Sequence, residues 1–129
     1  MKTTISALLF SMLGLAAFSA HAAGECDRYR SEYDKTYCFS KLFLQSDAEL
    51  NQVYDDLNKL IKPAVKQELK ETEASWIQYR DGSCSSGGTI DVDCNYRVNR
   101  ERTEYLRDRL RECKTGTCRN GEIVKPSWK

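Results

Sequence analysis

The sequence predicts an all-α protein, a three-helix antiparallel up-down-up bundle stapled by disulfides and followed by a short irregular C-terminal tail. Three observations predict this fold class. Apolar residues recur at the three-and-four spacing of amphipathic helices. Proline and glycine interrupt that spacing at two points, and short connections favour antiparallel neighbouring helices. The chain also contains six cysteines, an even number that is typical of disulfide-bonded exported domains.

The first segment, residues 1–23, is expected to be a secretory signal peptide. Lys2 precedes an apolar run from Ile5 to Phe18, and the small residues Ala20 and Ala22 follow it. This run is shorter than the roughly 18 to 20 residues that span a bilayer, so it indicates export and not a membrane anchor. We therefore expect a soluble exported protein.

The apolar spacing predicts three helices within one domain of residues 24–113. The first helix is expected over about Thr36–Ile61, and Pro63 opens the second helix at a position where a first-turn proline is favoured. Gly82 marks the end of the second helix, and the third is expected over about Val92–Cys113.

Residues 114–129 are expected to form a disulfide-closed turn and a surface tail. Gly116 and the Asn120-Gly121 pair are turn residues, and only a brief extended stretch follows them.

The cysteines predict a disulfide framework and not a metal site. Sequence alone allows many connectivities, but neighbouring cysteines flank short polar segments that must turn, which favours local pairs. The expected pairs are Cys26 with Cys38, Cys84 with Cys94, and Cys113 with Cys118. Zinc is disfavoured because no Cys-x-x-Cys occurs and oxidation competes for the thiolates.

Histidine and charge content exclude several function classes. The only histidine, His21, lies in the predicted signal peptide, so the mature chain lacks the imidazole of Ser-His-Asp and Cys-His catalysis. Removal of Lys2 leaves 19 Lys and Arg against 19 Asp and Glu, which gives no basic excess for nucleic acid or an anionic membrane. We expect no catalytic residue, no cofactor and no metal.

Four charged residues interrupt the apolar stripes of the predicted helices: Asp47, Glu73, Arg80 and Arg102. Helical periodicity turns these side chains towards the core. Because an unpaired buried charge is costly, we expect Arg102 to bridge Asp47, with Glu73 as a further candidate partner. Such an arginine keeps carboxylates ionised, which disfavours the general acid of a sugar-cleaving enzyme. The four residues are therefore interpreted as a structural polar network.

The connection between the second and third helices is the candidate contact with a protein partner. Residues 83–89 are small or polar apart from Cys84, which predicts a loop. A disulfide to Cys94 would hold this loop rigid, and rigid exposed loops are suited to binding. The candidate contact residues are Ser83, Ser85, Ser86, Gly87, Gly88 and Asp91.

Three ordered motifs carry a family resemblance. Asp-x-x-Leu-Asn-x-x-Tyr occupies residues 47–54, Trp76 precedes Arg80-Asp81 and a Gly-Gly pair, and Cys94 precedes Arg102 by eight residues. From residue 38 to 110 the chain therefore resembles the LprI-type lysozyme-inhibitor N-terminal domain, a family of small exported bacterial proteins.

This resemblance implies a periplasmic protein that inhibits or engages a lysozyme or another cell-wall hydrolase. The alternative is a non-inhibitory envelope interaction protein, or an immunity protein paired with an exported partner. Many lysozymes are strongly basic and would attract an acidic inhibitor, whereas the mature domain has a balanced charge.

Overall fold

The computed structural model describes residues 24 and 26–129, so the predicted signal peptide lies outside the described residues. The described part confirms the helical class. It holds four helices of defined extent and a short hairpin, one helix more than predicted. These elements are α1 (Glu32–Asn58), α2 (Pro63–Ser83), β1 (Ser85–Ser86), β2 (Thr89–Ile90), α3 (Val92–Lys114) and α4 (Asn120–Ile123).

α1 begins earlier than its apolar spacing predicted. Ser31 caps the helix, because its Oγ accepts a hydrogen bond of 3.3 Å from the backbone N–H of Asp34. Glu32 and Asp34 also place negative charge in the first turn, where the helix dipole favours it. The apolar stripe starts only at Phe39, so the first two turns carry a capping signal and no burial signal.

α2 and α3 begin at identifiable signals. Pro63 occupies the start of α2, as predicted, and Asp91 caps α3 by accepting a 2.9 Å hydrogen bond from the backbone N–H of Cys94. α2 buries the fewest side chains of the three long helices, namely Val65, Leu69 and Trp76.

The contacts between helices are uneven. α1 and α3 pack against each other extensively, whereas α1 and α2 make few direct contacts. The main core cluster contains ten buried residues: Leu50, Val53, Leu57, Ile61, Val65, Leu69, Trp76, Leu106, Leu110 and Ile123. A smaller cluster of Cys26, Phe39 and Tyr96 lies at the other end of α1. A core of this size benefits from disulfides, because little apolar surface is available to bury.

The C-terminal segment is more ordered than the predicted surface tail. It contains α4, and Ile123 is fully buried against α2 and α3. Thr72 Oγ1 donates a 2.9 Å hydrogen bond to the carbonyl oxygen of Val124, which joins the segment to α2. Tyr105 Oη donates a 2.5 Å hydrogen bond to the carbonyl oxygen of Glu122, which joins it to α3. Ile123 is therefore part of the core, and the segment is packed against α2 and α3.

Among the helices that the structure describes, none has both the length and the apolar character needed for a membrane crossing.

Candidate functional site: the closed hairpin and the Arg80 cluster

The structure joins all six cysteines in the local pairs that the sequence favoured. Cys26 bonds to Cys38, Cys84 to Cys94, and Cys113 to Cys118. The Cys84–Cys94 bond connects the end of α2 to the first turn of α3, and so closes the candidate contact segment at its base.

The predicted loop is a β-hairpin. Ser85 pairs with Ile90 and Ser86 pairs with Thr89 in antiparallel register. The two turn residues, Gly87 and Gly88, have φ values of 58° and 81°. Positive φ at both central positions is the requirement of the two-residue turns that suit the twist of paired strands. A Cβ atom at either glycine would meet no neighbour within 4 Å, so backbone conformation and not space selects glycine.

Hydrogen bonds fix the base of this hairpin. The backbone N–H of Asp91 donates a 2.9 Å bond to the carbonyl oxygen of Cys84, and Ser85 Oγ donates a 2.5 Å bond to the carbonyl oxygen of Asp81. The carboxylate of Asp91 is already used to cap α3. All six candidate contact residues are nevertheless exposed: Ser83, Ser85, Ser86, Gly87, Gly88 and Asp91.

One exposed side chain of the hairpin was not singled out from the sequence. Ile90 is 71% exposed, although it is a large apolar residue within a strand. Exposed apolar side chains on rigid elements are suited to act as anchors in protein interfaces. The sequence did contain a signal for this residue, because Ile90 is the one large apolar residue between Cys84 and Asp91.

Replacing Cys84 and Cys94 together by serine is expected to lower the free energy of unfolding by about 2 to 3 kcal/mol, because the unfolded chain loses the constraint of a short closed loop. Urea unfolding followed by circular dichroism measures this change. The double variant Ser83→Ala/Ser86→Ala keeps the disulfide and is expected to stay within about 0.5 kcal/mol of the wild type. Equal losses in the two variants would contradict a stabilising role for this bond.

The hairpin region is acidic, although the whole chain is nearly neutral. Residues 81–93 contain Asp81, Asp91 and Asp93 and no Lys or Arg. Arg97 follows one turn into α3 and lies 3.4 Å from the carboxylate of Asp93. Arg80 borders the same stretch and pairs with Asp81, so two of the three carboxylates have an arginine partner.

Arg80 ties the hairpin base to the other helices. Its guanidinium donates to Asp81 Oδ1 at 2.9 Å, to Asn99 Oδ1 at 3.2 Å and to Asp47 Oδ1 at 3.4 Å. The same group lies 5.3 Å from the ring centre of Trp76, where a cation–π attraction adds to the hydrogen bonds. The Arg80 side chain is only 14% exposed, whereas that of Asp47 is 42% exposed. The Arg80 cluster, meaning these five residues, therefore lies at the surface on the Asp47 side.

Arg102 makes a separate, more deeply buried pair. Its Nε donates a 2.8 Å hydrogen bond to Glu73 Oε1, and its Nη2 donates to the same oxygen. Burial raises the pKa of the Glu73 carboxyl, and the charge of Arg102 opposes that rise. Nη1 of Arg102 donates to Ser127 Oγ at 3.3 Å, and the Trp128 ring covers the guanidinium at 5.1 Å.

The predicted four-residue network is therefore divided into two pairs. Arg102 pairs with its candidate partner Glu73, whereas Asp47, which was expected to pair with Arg102, pairs with Arg80. Each of the two carboxylates faces an arginine. The Arg80 cluster therefore offers hydrogen bonds and packing contacts at the surface, whereas the Arg102–Glu73 pair lies in the interior. In the described ranges, no group of three His, Cys, Asp or Glu side chains is placed to hold a metal ion.

Two grooves flank Arg80. One lies between α1 and α2, has a volume of about 320 Å³, and is lined by Asp47, Asn51 and Trp76 among others. The other lies beside the hairpin, has a volume of about 430 Å³, and is lined by Phe43, Ile90 and Asn95 among others. The groove between α1 and α2 exists because both helices pack more closely on α3 than on each other.

Comparison with known protein families gives one match. A family model described as lysozyme inhibitor LprI matches residues 26–106. The matched range contains α1, α2, the hairpin and most of α3, and it ends before the C-terminal segment. No curated protein and no solved structure matches the chain.

Proposed function

Because this chain belongs to the LprI lysozyme inhibitor family, we propose that it inhibits a lysozyme-type cell-wall hydrolase in the periplasm. The observation that carries the proposal is the disulfide-closed hairpin, a narrow exposed element that is held at its base by Cys84–Cys94 and by Arg80. The disulfides favour an oxidising compartment, which supports an exported location.

The hairpin tip has the chemistry that a glycosidase cleft accepts. Such clefts present two carboxylates that flank the scissile bond, so an occupant should offer hydrogen-bond donors and no negative charge. Ser86 provides a hydroxyl, and Gly87 and Gly88 expose backbone N–H groups without a covering side chain. The tip is also rigid, so little conformational entropy is lost when it binds.

The base of the hairpin has the opposite character. Asp81, Asp91 and Asp93 surround it, which suits a target whose cleft rim is basic. Arg80 and Arg97 partly offset this acidity, so it adds a short-range preference for a basic rim and not long-range steering. Ile90 lies between the neutral tip and the acidic base, where it is positioned to act as an apolar anchor.

We further infer that the three long helices follow the predicted up-down-up path. Ser46 contacts Asn99 and Glu49 contacts Arg107, so contacts advance in the same direction along α1 and α3. Along α2 and α3 they advance in opposite directions, because Glu73 pairs with Arg102 and the later Arg80 pairs with Asn99. This path keeps the hairpin and the Cys113–Cys118 turn at opposite ends of α3, about 30 Å apart by helical rise.

Replacing Ile90 by arginine is expected to weaken inhibition by about tenfold or more, because the variant loses the anchor and adds a positive charge that a basic rim repels. The measurement is the rate at which lysozymes of several classes clear cell-wall material in the presence of the oxidised protein. Leu60→Arg is the matched control, since Leu60 is 46% exposed and lies in the connection between α1 and α2. If Ile90→Arg and Leu60→Arg weakened inhibition equally, the hairpin would be rejected as the contact surface.

The same assay separates the inhibitor from its alternatives. If the wild-type protein in micromolar excess slows no lysozyme, inhibition is rejected. A co-purifying exported partner would then support the non-inhibitory or immunity function. Clearing of wall material by the protein alone would indicate an enzyme.

A further inference from the structure

The groove between α1 and α2 has the dimensions of a small ligand site. Its volume of about 320 Å³ lies at the lower end of the roughly 300 to 1,000 Å³ that is usual for ligand pockets. Asp47 and Tyr54 lie seven residues apart on one wall, which corresponds to about 10 Å of helix. That length accommodates a disaccharide or a ligand of similar size.

Polar groups in this groove lack partners within the protein. Asn51, Tyr54 and Lys70 line the groove and form no hydrogen bond or ion pair with another described residue. Asp47 uses only Oδ1 for its bonds to Arg80 and Asn99, so Oδ2 remains available. The groove thus presents an ammonium, a side-chain amide, a phenol and a carboxylate oxygen, all unpaired.

The charged groups are separated along the groove. Arg80 and Asp47 are paired at one end, while Lys70 lies ten residues before Arg80 on α2, about 15 Å away by helical rise. Lys70 is therefore free to bind an anion at the end that is remote from Asp47. The rest of the wall is mostly apolar, with Leu50 and Ile77, and its one further charged group, Glu73, is paired with Arg102.

We propose that this groove binds a short glycan that carries one carboxylate. A sugar ring combines an apolar C–H face with hydroxyls that both donate and accept, which matches an apolar wall and the amide and phenol groups of Asn51 and Tyr54. The carboxylate of the glycan pairs with Lys70. A lipid chain would leave these polar groups buried without partners, which is unfavourable. This site is independent of the proposed inhibition by the hairpin.

The test is titration of the ¹⁵N-labelled full chain with N-acetylglucosaminyl-N-acetylmuramic acid, and with neutral chitobiose as the comparison. The two tryptophans give separate indole signals, because Trp76 lines the groove and Trp128 does not. We expect saturable shifts of the Trp76 indole and the Asn51 side-chain amide, with the Trp128 indole unchanged. The acidic disaccharide should bind about threefold or more tightly than chitobiose, which is the range of one exposed ion pair.

Variants locate the site and the charge contact. Ala74→Trp fills the groove and should abolish the shifts, whereas Ala48→Trp, at an exposed alanine of α1 outside the groove, should retain them. Lys70→Gln should make the two disaccharides bind equally. Absence of saturable shifts, or retained binding in a folded Ala74→Trp protein, would overturn the site. A preserved preference in Lys70→Gln would overturn the assignment of the carboxylate.

Discussion

Replacing Arg102 by methionine is expected to lower the free energy of unfolding by about 3 to 5 kcal/mol at neutral pH, because it leaves a buried carboxylate without its partner. The Arg102 side chain has no exposed surface, and that of Glu73 is 13% exposed. Methionine retains most of the aliphatic volume, so the loss reports charge and hydrogen bonding more than cavity formation. Urea unfolding at equilibrium measures it.

Two further variants give this prediction its control. Arg107→Met removes an arginine that is 27% exposed and pairs with Glu49 and Glu104, and it is expected to change stability by at most about 1 kcal/mol. The double variant Arg102→Met/Glu73→Leu removes both buried charges and should recover most of the loss. If Arg102→Met were as stable as Arg107→Met, the Arg102–Glu73 pair would not be a stabilising buried ion pair.

The loss in Arg102→Met should also depend on pH. Burial already raises the pKa of Glu73 above its ordinary value of 4.5, and removal of Arg102 removes the charge that opposes this rise. A carboxyl with a raised pKa in the folded state favours folding below its unfolded pKa, and that contribution is lost as pH rises through the folded value. The deficit of the variant relative to the wild type should therefore be smaller near about pH 4 than at neutral pH. A deficit that is constant or grows in acid would contradict this account.

The sequence predicted where α2 and α3 begin and named Glu73 as a candidate partner of Arg102, but it assigned Asp47 to Arg102, whereas Asp47 pairs with Arg80. A bridge between Arg102 and Asp47 would require the two residues to lie at the same height along α3 and α1. Asp47 is hydrogen-bonded to Asn99, which lies three residues before Arg102 in the sequence. That separation corresponds to about 4.5 Å along the axis of α3, so Asp47 lies beside Asn99 and not beside Arg102. Arg80, in the last turn of α2, is closer to that level.

Most residues of the family resemblance maintain the scaffold. Leu50 and Trp76 are buried in the core, Arg102 is paired with Glu73, and Arg80 holds the hairpin base. Gly87 and Gly88 fix the turn conformation. The exposed hairpin residue Ile90 lies outside these motifs, so family membership indicates a common framework and leaves the choice of target to the exposed side chains.

The C-terminal segment could not be predicted as core for a different physical reason. A single turn of helix buries one residue and shows no periodicity, so the apolar Ile123 resembles an ordinary surface residue in sequence. Its burial follows from long-range contacts with α2 and α3, which no local pattern encodes.

Replacing Ile123 by alanine is accordingly expected to lower the free energy of unfolding by about 2 to 5 kcal/mol, the range for truncating a fully buried isoleucine. Ile90→Ala makes the same chemical change at a residue that is 71% exposed, and it should stay within about 0.5 kcal/mol of the wild type. Urea unfolding of both variants provides the comparison. If Ile123→Ala were as stable as Ile90→Ala, the segment after α3 would be a surface tail, and Trp128 would not shield the Arg102–Glu73 pair.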